Sequence, residues 1–430
     1  MAMEKVDHSV LEGDSVLFVE NETIRLGVNL ALGGCVTYLA KHGDENMINS
    51  FDWGRQVQMS FYSFPVPFQP EGVDMVEAWR TIGWNPIQCG DCFGHRSRVL
   101  EYSSTADEVH VKCIPMHWPL DDHPGECTFE TWYKLNGCRV DVTARLNNAR
   151  PDTTLYPARQ QELPAVYTNG RWYRTLAYLG DRPFTGDAVT VVEERGSERI
   201  WPPRYGYCTE NWMALVDDSD FGLGVYNPST QLFSGGFYGE FGVGGPKDTN
   251  TGYISPFQME ILDHDIVYTY TYSLIVGDIS EIRTHAAALA AQAPAKAVWS
   301  FAQDRSHFYY ENITDKGLPA NGCLEFDFSA GGKLCAPSGL LPAGRTRIVL
   351  DAAITGGELP CTVSLNICDG KAHERGYERP RVEIAAVLQA DGERREHILD
   401  ISAAADIFAT EFSIAFGGGG SAKIWGIRVE

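Results

Sequence analysis

Several stretches of this chain gather side chains suited to a polyhydroxylated ligand. The densest is Gly83-Trp84-Asn85-Pro86-Ile87-Gln88-Cys89-Gly90-Asp91-Cys92-Phe93-Gly94-His95. Its glycines, proline and Asx residues read as a loop. A loop that only links two strands needs no Trp, Asn, Gln, Asp and His together. An aromatic face for the apolar side of a sugar ring, with amides and carboxylates for its hydroxyls, needs all of them. Trp84 and Gln88 are therefore expected to bind ligand. Asp91 and His95 flank a short glycine-containing turn and are expected to form a general base, to bind a hydroxyl pair or to hold a metal. The alternative for Asp91 is an Asx-turn beside a surface histidine. His117-Trp118-Pro119-Leu120-Asp121-Asp122-His123 is a second polar-aromatic loop. There His117 and Trp118 are candidate ligand contacts, against a plain solvated loop. Arg55, between Gly54 and Gln56, is a candidate clamp for hydroxyls or a carboxylate, or else a structural ion-pair partner.

Two glutamates complete the chemistry. Glu162 sits in Gln160-Gln161-Glu162-Leu163-Pro164-Ala165-Val166-Tyr167. Its apolar neighbours favour a carboxyl group that donates a proton. Tyr167 is read as a substrate contact. Glu210, in Tyr205-Gly206-Tyr207-Cys208-Thr209-Glu210-Asn211-Trp212, has a more polar setting that favours ionisation. Cleaving a glycosidic bond takes two carboxyl groups in such different states. Glu162 as acid and Glu210 as its partner are the expected catalytic pair, with a structural strand-end role as the alternative for each.

The elements that must position these residues read as β-strands. Val16 to Val19, Ile24 to Val28, Val109 to Cys113, Arg139 to Thr143 and Ile266 to Tyr272 alternate or are rich in β-branched and aromatic residues. Asn136-Gly137 reads as the turn of a hairpin. Glycine-rich Phe233 to Gly245 reads as a long irregular loop. The first convincing helix begins at Asp278-Ile279-Ser280-Glu281, runs through the alanines to Ala291 and stops before Pro294. It marks a boundary. Residues 1–293 are expected to form a large antiparallel β unit carrying the site. Residues 294–430 are expected to form a smaller, jelly-roll-like β-sandwich, with strands at Leu324 to Phe328, Arg347 to Leu350, Val363 to Ile367 and Ala422 to Val429. The fold class is all-β.

Composition bounds the partners. The chain has 430 residues, a hydrophobic fraction of 44% and a formal charge of −22. Such an acidic surface repels nucleic-acid backbones. No apolar run is long enough for a membrane helix. The 11 cysteines are irregularly spaced and read as reduced, buried thiols rather than a disulfide framework. The Cys89/Cys92 pair lacks the second pair a structural zinc site would use. No phosphate-loop motif is present, and the leading expectation has neither cofactor nor metal, the alternatives being a metal at Asp91/His95 or calcium at Asp121-Asp122-His123. Without an apolar leader at the N-terminus, the expected location is cytoplasmic, or secreted in a trimmed form. A homo-oligomer is compatible with the sequence.

Gly33-Gly34-Cys35-Val36-Thr37-Tyr38-Leu39, Asn46-Met47-Ile48-Asn49, Asp52-Trp53-Gly54-Arg55-Gln56-Val57-Gln58, Trp212 to Val216 and Gly222 to Pro228 resemble segments of the galactose-mutarotase-like supersandwich fold, over about the first 290 residues. The resemblance implies a large antiparallel β architecture and a sugar ligand. The histidine pair of sugar mutarotases has only His95 and His117 as counterparts. Glu260 falls near the position of their late catalytic base without its flanking motif. The C-terminal unit is similar to accessory sandwiches of glycan-active enzymes. The leading expectation is a glycoside hydrolase acting on an oligosaccharide or glycoside. A polysaccharide lyase using Arg55 with Tyr167, Tyr173 or His95, a sugar epimerase and a non-catalytic glycan binder are the alternatives.

Overall fold

The structure, a computed structural model, describes residues 7–196, 204–292, 297–339, 341, 343–367 and 380–430. It is all-β apart from one α-helix and short 3-10 turns among those residues. Every strand pair in its three sheets is antiparallel. The first sheet runs, in spatial order, through Val16–Glu20, Ile24–Asn29, Cys35–Lys41, Val57–Ser60, Arg159–Thr168, Thr251–Glu260, Leu232–Tyr238 and Arg204–Tyr207. Two short strands, Pro86–Ile87 and Met116–His117, extend it beside Val57–Ser60. The second sheet runs through Thr190–Glu193, Arg174–Ala177, Trp212–Val216, Phe221–Tyr226, Val267–Asp278, Arg139–Asn148, Cys127–Asn136, Glu108–Ile114 and Arg98–Ser104.

These two sheets pack face to face. Val28, Val57, Met59, Val166 and Ile254 of the first meet Val111, Phe129, Val142 and Leu274 of the second in one apolar core. Strict alternation makes this possible. In Cys127–Asn136 and Arg139–Asn148, every second residue is buried for most of the length. The hairpin between them turns on Gly137-Cys138 rather than Asn136-Gly137, because Asn136 pairs with Arg139. Gly137 takes a φ of 59°, which suits glycine at the first turn position.

The stretch Phe233 to Gly245 is only partly a loop. Leu232–Tyr238 is a strand paired on both sides. Its glycines serve packing: a Cβ on Gly235 would lie 2.3 Å from the Met213 sulfur across the core. The helix Ile279–Gln292 covers the outer face of the second sheet through Ile282 and Ala286. Asp278 Oδ1 accepts from Ser280 and Glu281 N–H, each at 2.9 Å, and Glu281 Oε2 accepts from Asp278 N–H at 3.1 Å, a reciprocal cap. Pro294 and the expected boundary at 293/294 lie outside the described residues.

The third sheet is built from Val298–Ser300, Tyr309–Asp315, Leu324–Cys335, Arg347–Ile367, Arg381–Asp391, Arg395–Asp400, Ala409–Phe416 and Gly420–Val429. Arg347–Ile367 is the longest strand of this sheet. Its first half pairs with Arg395–Asp400 and Gly420–Val429, its second with Arg381–Asp391 and Ala409–Phe416. The partners change near Gly356-Gly357, whose φ values are 138° and 75°. Buried charges tie this sheet to the first two. Arg305 donates to Asp263 at 2.5 Å and to Asp315 at 2.6 Å. Glu260 accepts from Tyr268 OH at 2.9 Å and pairs with His307 at 2.7 Å, which gives it a tethering place rather than a cavity.

Candidate active site

The first sheet turns one face to the core and the other to a cavity of about 570 Å³. On Val57–Ser60, Val57 and Met59 are core residues while Gln58 and Ser60 line the cavity. The neighbouring strand Arg159–Thr168 shifts register between Glu162 and Ala165. The extra residue of that bulge lets Glu162, Ala165 and Tyr167 all face the cavity, although simple alternation would put Ala165 on the other side.

Glu162 is half-buried on this face. Tyr62 OH donates to its Oε2 at 2.7 Å and Tyr253 OH to its Oε1 at 2.5 Å. A carboxylate accepting on both oxygens is fixed in orientation, with lone pairs left for a ligand. Burial, then the Glu162 charge, pushes both phenols well above their ordinary range, so they stay donors. Tyr253 packs on Tyr167 with ring centroids 4.9 Å apart.

Trp79 and Trp118 form an aromatic wall, their rings 6.5 Å apart at 63°. Trp118 comes so near the chain at Gly54 that a Cβ there would lie 2.8 Å from the indole. Asp52 and Arg55 lie on the same cavity and pair at 3.2 Å. Arg55 also donates to Thr249 O at 2.9 Å. Burial pushes the Asp52 carboxyl up, against the pull of Arg55 and the Gly54 N–H.

Among the residues singled out from sequence, Glu162, Arg55, Trp118 and Tyr167 line this cavity. The others do not. Trp84 is fully buried and its indole N–H donates to Glu126 Oε2 at 3.2 Å. Gln88 is a core amide that donates to Gly33 O and Thr131 Oγ1 and accepts from Met59 N–H. Asp91 is an Asx-turn centre. Its Oδ1 accepts from Phe93 and His95 N–H at 2.9 Å, and its Oδ2 accepts from Asp122 N–H at 3.0 Å. His95 Nδ1 pairs with Asp91 at 2.9 Å, and burial raises that carboxyl. The pair stitches two loops together instead of facing the cavity. His117 is 0% exposed, so its loop is not a solvated one. Its Nε2 lies 3.1 Å from Glu126 Oε2, and burial pushes its imidazole down.

Glu210 is a correction to the expected pair. It is 0% exposed and does not line the cavity. Its oxygens accept from Arg283 Nε at 2.8 Å, Arg283 Nη2 at 2.7 Å, Trp212 Nε1 at 2.9 Å and Phe184 N–H at 2.7 Å. A carboxylate so fully engaged anchors the helix to the second sheet. Tyr173 is likewise buried and donates to Asp218. Sequence reasoning missed Tyr62, Tyr253, Asp52 and Trp79. The alternation Val57-Gln58-Met59-Ser60 carried the only local signal for that face.

No protein-family model matches the chain, and neither does any curated protein. Among solved structures, the chain is similar to a galactose mutarotase-like protein from Lactobacillus casei ATCC 334. That likeness has 11% identity and a TM-score of 0.38, over 61% of this chain and 99% of that one. A galactose mutarotase related enzyme from Lactobacillus acidophilus is similar at 13% identity and TM-score 0.37, over 61% and 97% of the two chains. A 4-alpha-glucanotransferase from Thermococcus litoralis is similar at 10% identity and TM-score 0.34, over 62% and 38%.

Proposed function

We propose that this chain is a carbohydrate-active enzyme that binds a sugar on the outer face of its first sheet and transfers a proton at the anomeric centre through Glu162. The observation that carries this reading is Glu162 itself: a half-buried carboxylate on the cavity floor, oriented by Tyr62 and Tyr253 beneath an aromatic wall. Trp79 and Trp118 offer apolar faces to a pyranose ring. Ser60, Asn85 and Arg55 offer hydrogen-bonding groups to its hydroxyls.

Interconversion of anomers asks for one base and one acid. The base takes the proton of the anomeric hydroxyl as the C1–ring-oxygen bond breaks, and the acid protonates the ring oxygen. The steps reverse after rotation about the C1–C2 bond of the open-chain aldehyde, so that the ring closes on its other face. In this reading Glu162 takes the part of the base, and Asp52, a second carboxyl on the same cavity that pairs with Arg55 at 3.2 Å, takes the part of the acid. That same observation favours a second reading, glycosidic hydrolysis, with Asp52 and Glu162 sharing the two carboxyl roles. With Glu210 locked against Arg283, the hydrolytic pair moves to these two residues.

The experiment is a panel of freshly dissolved α-aldoses followed by NMR, beside aryl glycosides followed by phenolate release. Accelerated anomeric exchange alone supports the first reading. Phenolate release supports the second. Neither activity, together with no saccharide binding, refutes the assignment of this cavity to sugar.

A further inference from the structure

Behind the cavity wall, the loop that carries Trp118 closes on itself. His117 N–H donates to His123 O at 3.0 Å and Gly125 N–H to Pro115 O at 2.8 Å. Asp122 turns the chain with a φ of 47°. The result stacks the His117 and His123 rings, with centroids 5.5 Å apart and planes 28° apart. Glu126 follows and meets both. Its Oε2 lies 3.1 Å from His117 Nε2, and its Oε1 lies 3.9 Å from His123 Nε2. One donor atom from each of the three residues lies within 4.8 Å of the others.

We infer that His117, His123 and Glu126 form a binding site for a divalent transition-metal ion of the zinc type. Two imidazole nitrogens and one carboxylate oxygen are a composition that zinc and its neighbours favour. At metal–ligand distances of about 2.0–2.1 Å, tetrahedral donors sit roughly 3.3 Å apart; His117 Nε2 and Glu126 Oε2 already lie 3.1 Å apart, and the His123 ring must move inward to join them. The Trp84 indole N–H already holds Glu126 from behind, as an outer-shell partner does. Phe68 lies against His117 with ring centroids 4.8 Å apart and shields one side. His123 and Glu126 keep side-chain exposures of 25% and 29%, which leaves an entry path and room for a water as fourth ligand. The site is structural. The strand pairing of Met116–His117 with Pro86–Ile87 fixes one end, and the metal would fix the other, holding Trp118 on the cavity wall.

The test uses the full chain, stripped with a chelator and titrated with Co²⁺ and then Zn²⁺. The expected result is one tight equivalent per chain, with the intense visible d–d bands of four-coordinate Co²⁺ and no near-ultraviolet thiolate charge-transfer band, which separates this site from the cysteines. His123→Ala and Glu126→Gln alter partly exposed residues and should keep the fold by circular dichroism. Each should weaken binding by more than the roughly 10- to 100-fold typical of an outer-shell partner. His95→Ala, in the neighbouring Asp91/His95/Asp121 group, should leave the affinity unchanged. Unaltered binding in His123→Ala, a thiolate band, or no bound equivalent would overturn the assignment.

Discussion

Replacing Arg283 with alanine removes two of the four donors that hold the buried Glu210 carboxylate. The side chain of Glu210 is 0% exposed and that of Arg283 only 19%. The Arg283 bonds, at 2.8 and 2.7 Å, are the charged ones. Trp212 and Phe184 supply the neutral pair. Breaking one side of such a buried ion pair costs about 3–5 kcal/mol, because the remaining charge is left without its counter-ion. For a unit of this size that is a fall in melting temperature of roughly 5–10 °C. Arg283 also lies over the Tyr178 ring, 5.0 Å from its centroid, so the loss of packing adds to the effect. Glu210→Gln should destabilise in the same direction while saccharide binding at 25 °C persists. Thermal unfolding followed by tryptophan fluorescence reads both variants. A Glu210→Gln protein with unchanged melting temperature and abolished turnover would refute the structural role and return Glu210 to the chemistry.

Gly54→Ala should push the Trp118 indole off the cavity wall, since the new methyl would sit 2.8 Å from it. Overpacking of about 1–3 kcal/mol should lower the melting temperature by a few degrees, and the displaced indole should weaken saccharide binding by titration calorimetry. The pH dependence of metal-free protein should report Glu126. Burial alone would raise this carboxyl, but the hydrogen bonds from His117 and the Trp84 indole outweigh it and hold it below its ordinary value. A depressed carboxyl contributes stability that is complete above its ordinary value near 4.5 and is lost as pH falls toward 2. The urea midpoints of wild type and Glu126→Gln should therefore converge across that window. A gap that stays constant down to pH 2 would contradict it.

The sheet content was readable because alternation is local. Phe129, Thr131 and Tyr133 point to the core, and nothing distant is needed to see it. The reciprocal cap of Asp278 and Glu281 was equally local. The cavity was not. Tyr62, Glu162 and Tyr253 meet only because Val57–Ser60, Arg159–Thr168 and Thr251–Glu260 lie side by side, and strand order across such separations leaves no local trace. The bulge after Glu162 hides the face of Ala165 from a period-2 reading. The opposite error arose at Trp84, Gln88, Asp91 and His117. Their stretches have loop composition, but they fold inward: Gln88 and Asp91 satisfy backbone groups that would otherwise be buried alone, and Trp84 and His117 meet the Glu126 carboxylate. Glu210 misled for a similar reason: its partner Arg283 lies on a helix far along the chain.

The proposed function stands on Glu162, on the outer face of the first sheet, as the group that moves the proton. The direct measurement is the rate of anomeric exchange, by saturation-transfer NMR on the aldose turned over by the wild type, in Glu162→Gln. The side chain keeps its shape and can still meet Tyr62 and Tyr253, so saccharide affinity should stay within a few-fold while turnover falls by about 10²–10⁴. Wild-type exchange rates in a folded Glu162→Gln protein would contradict the account.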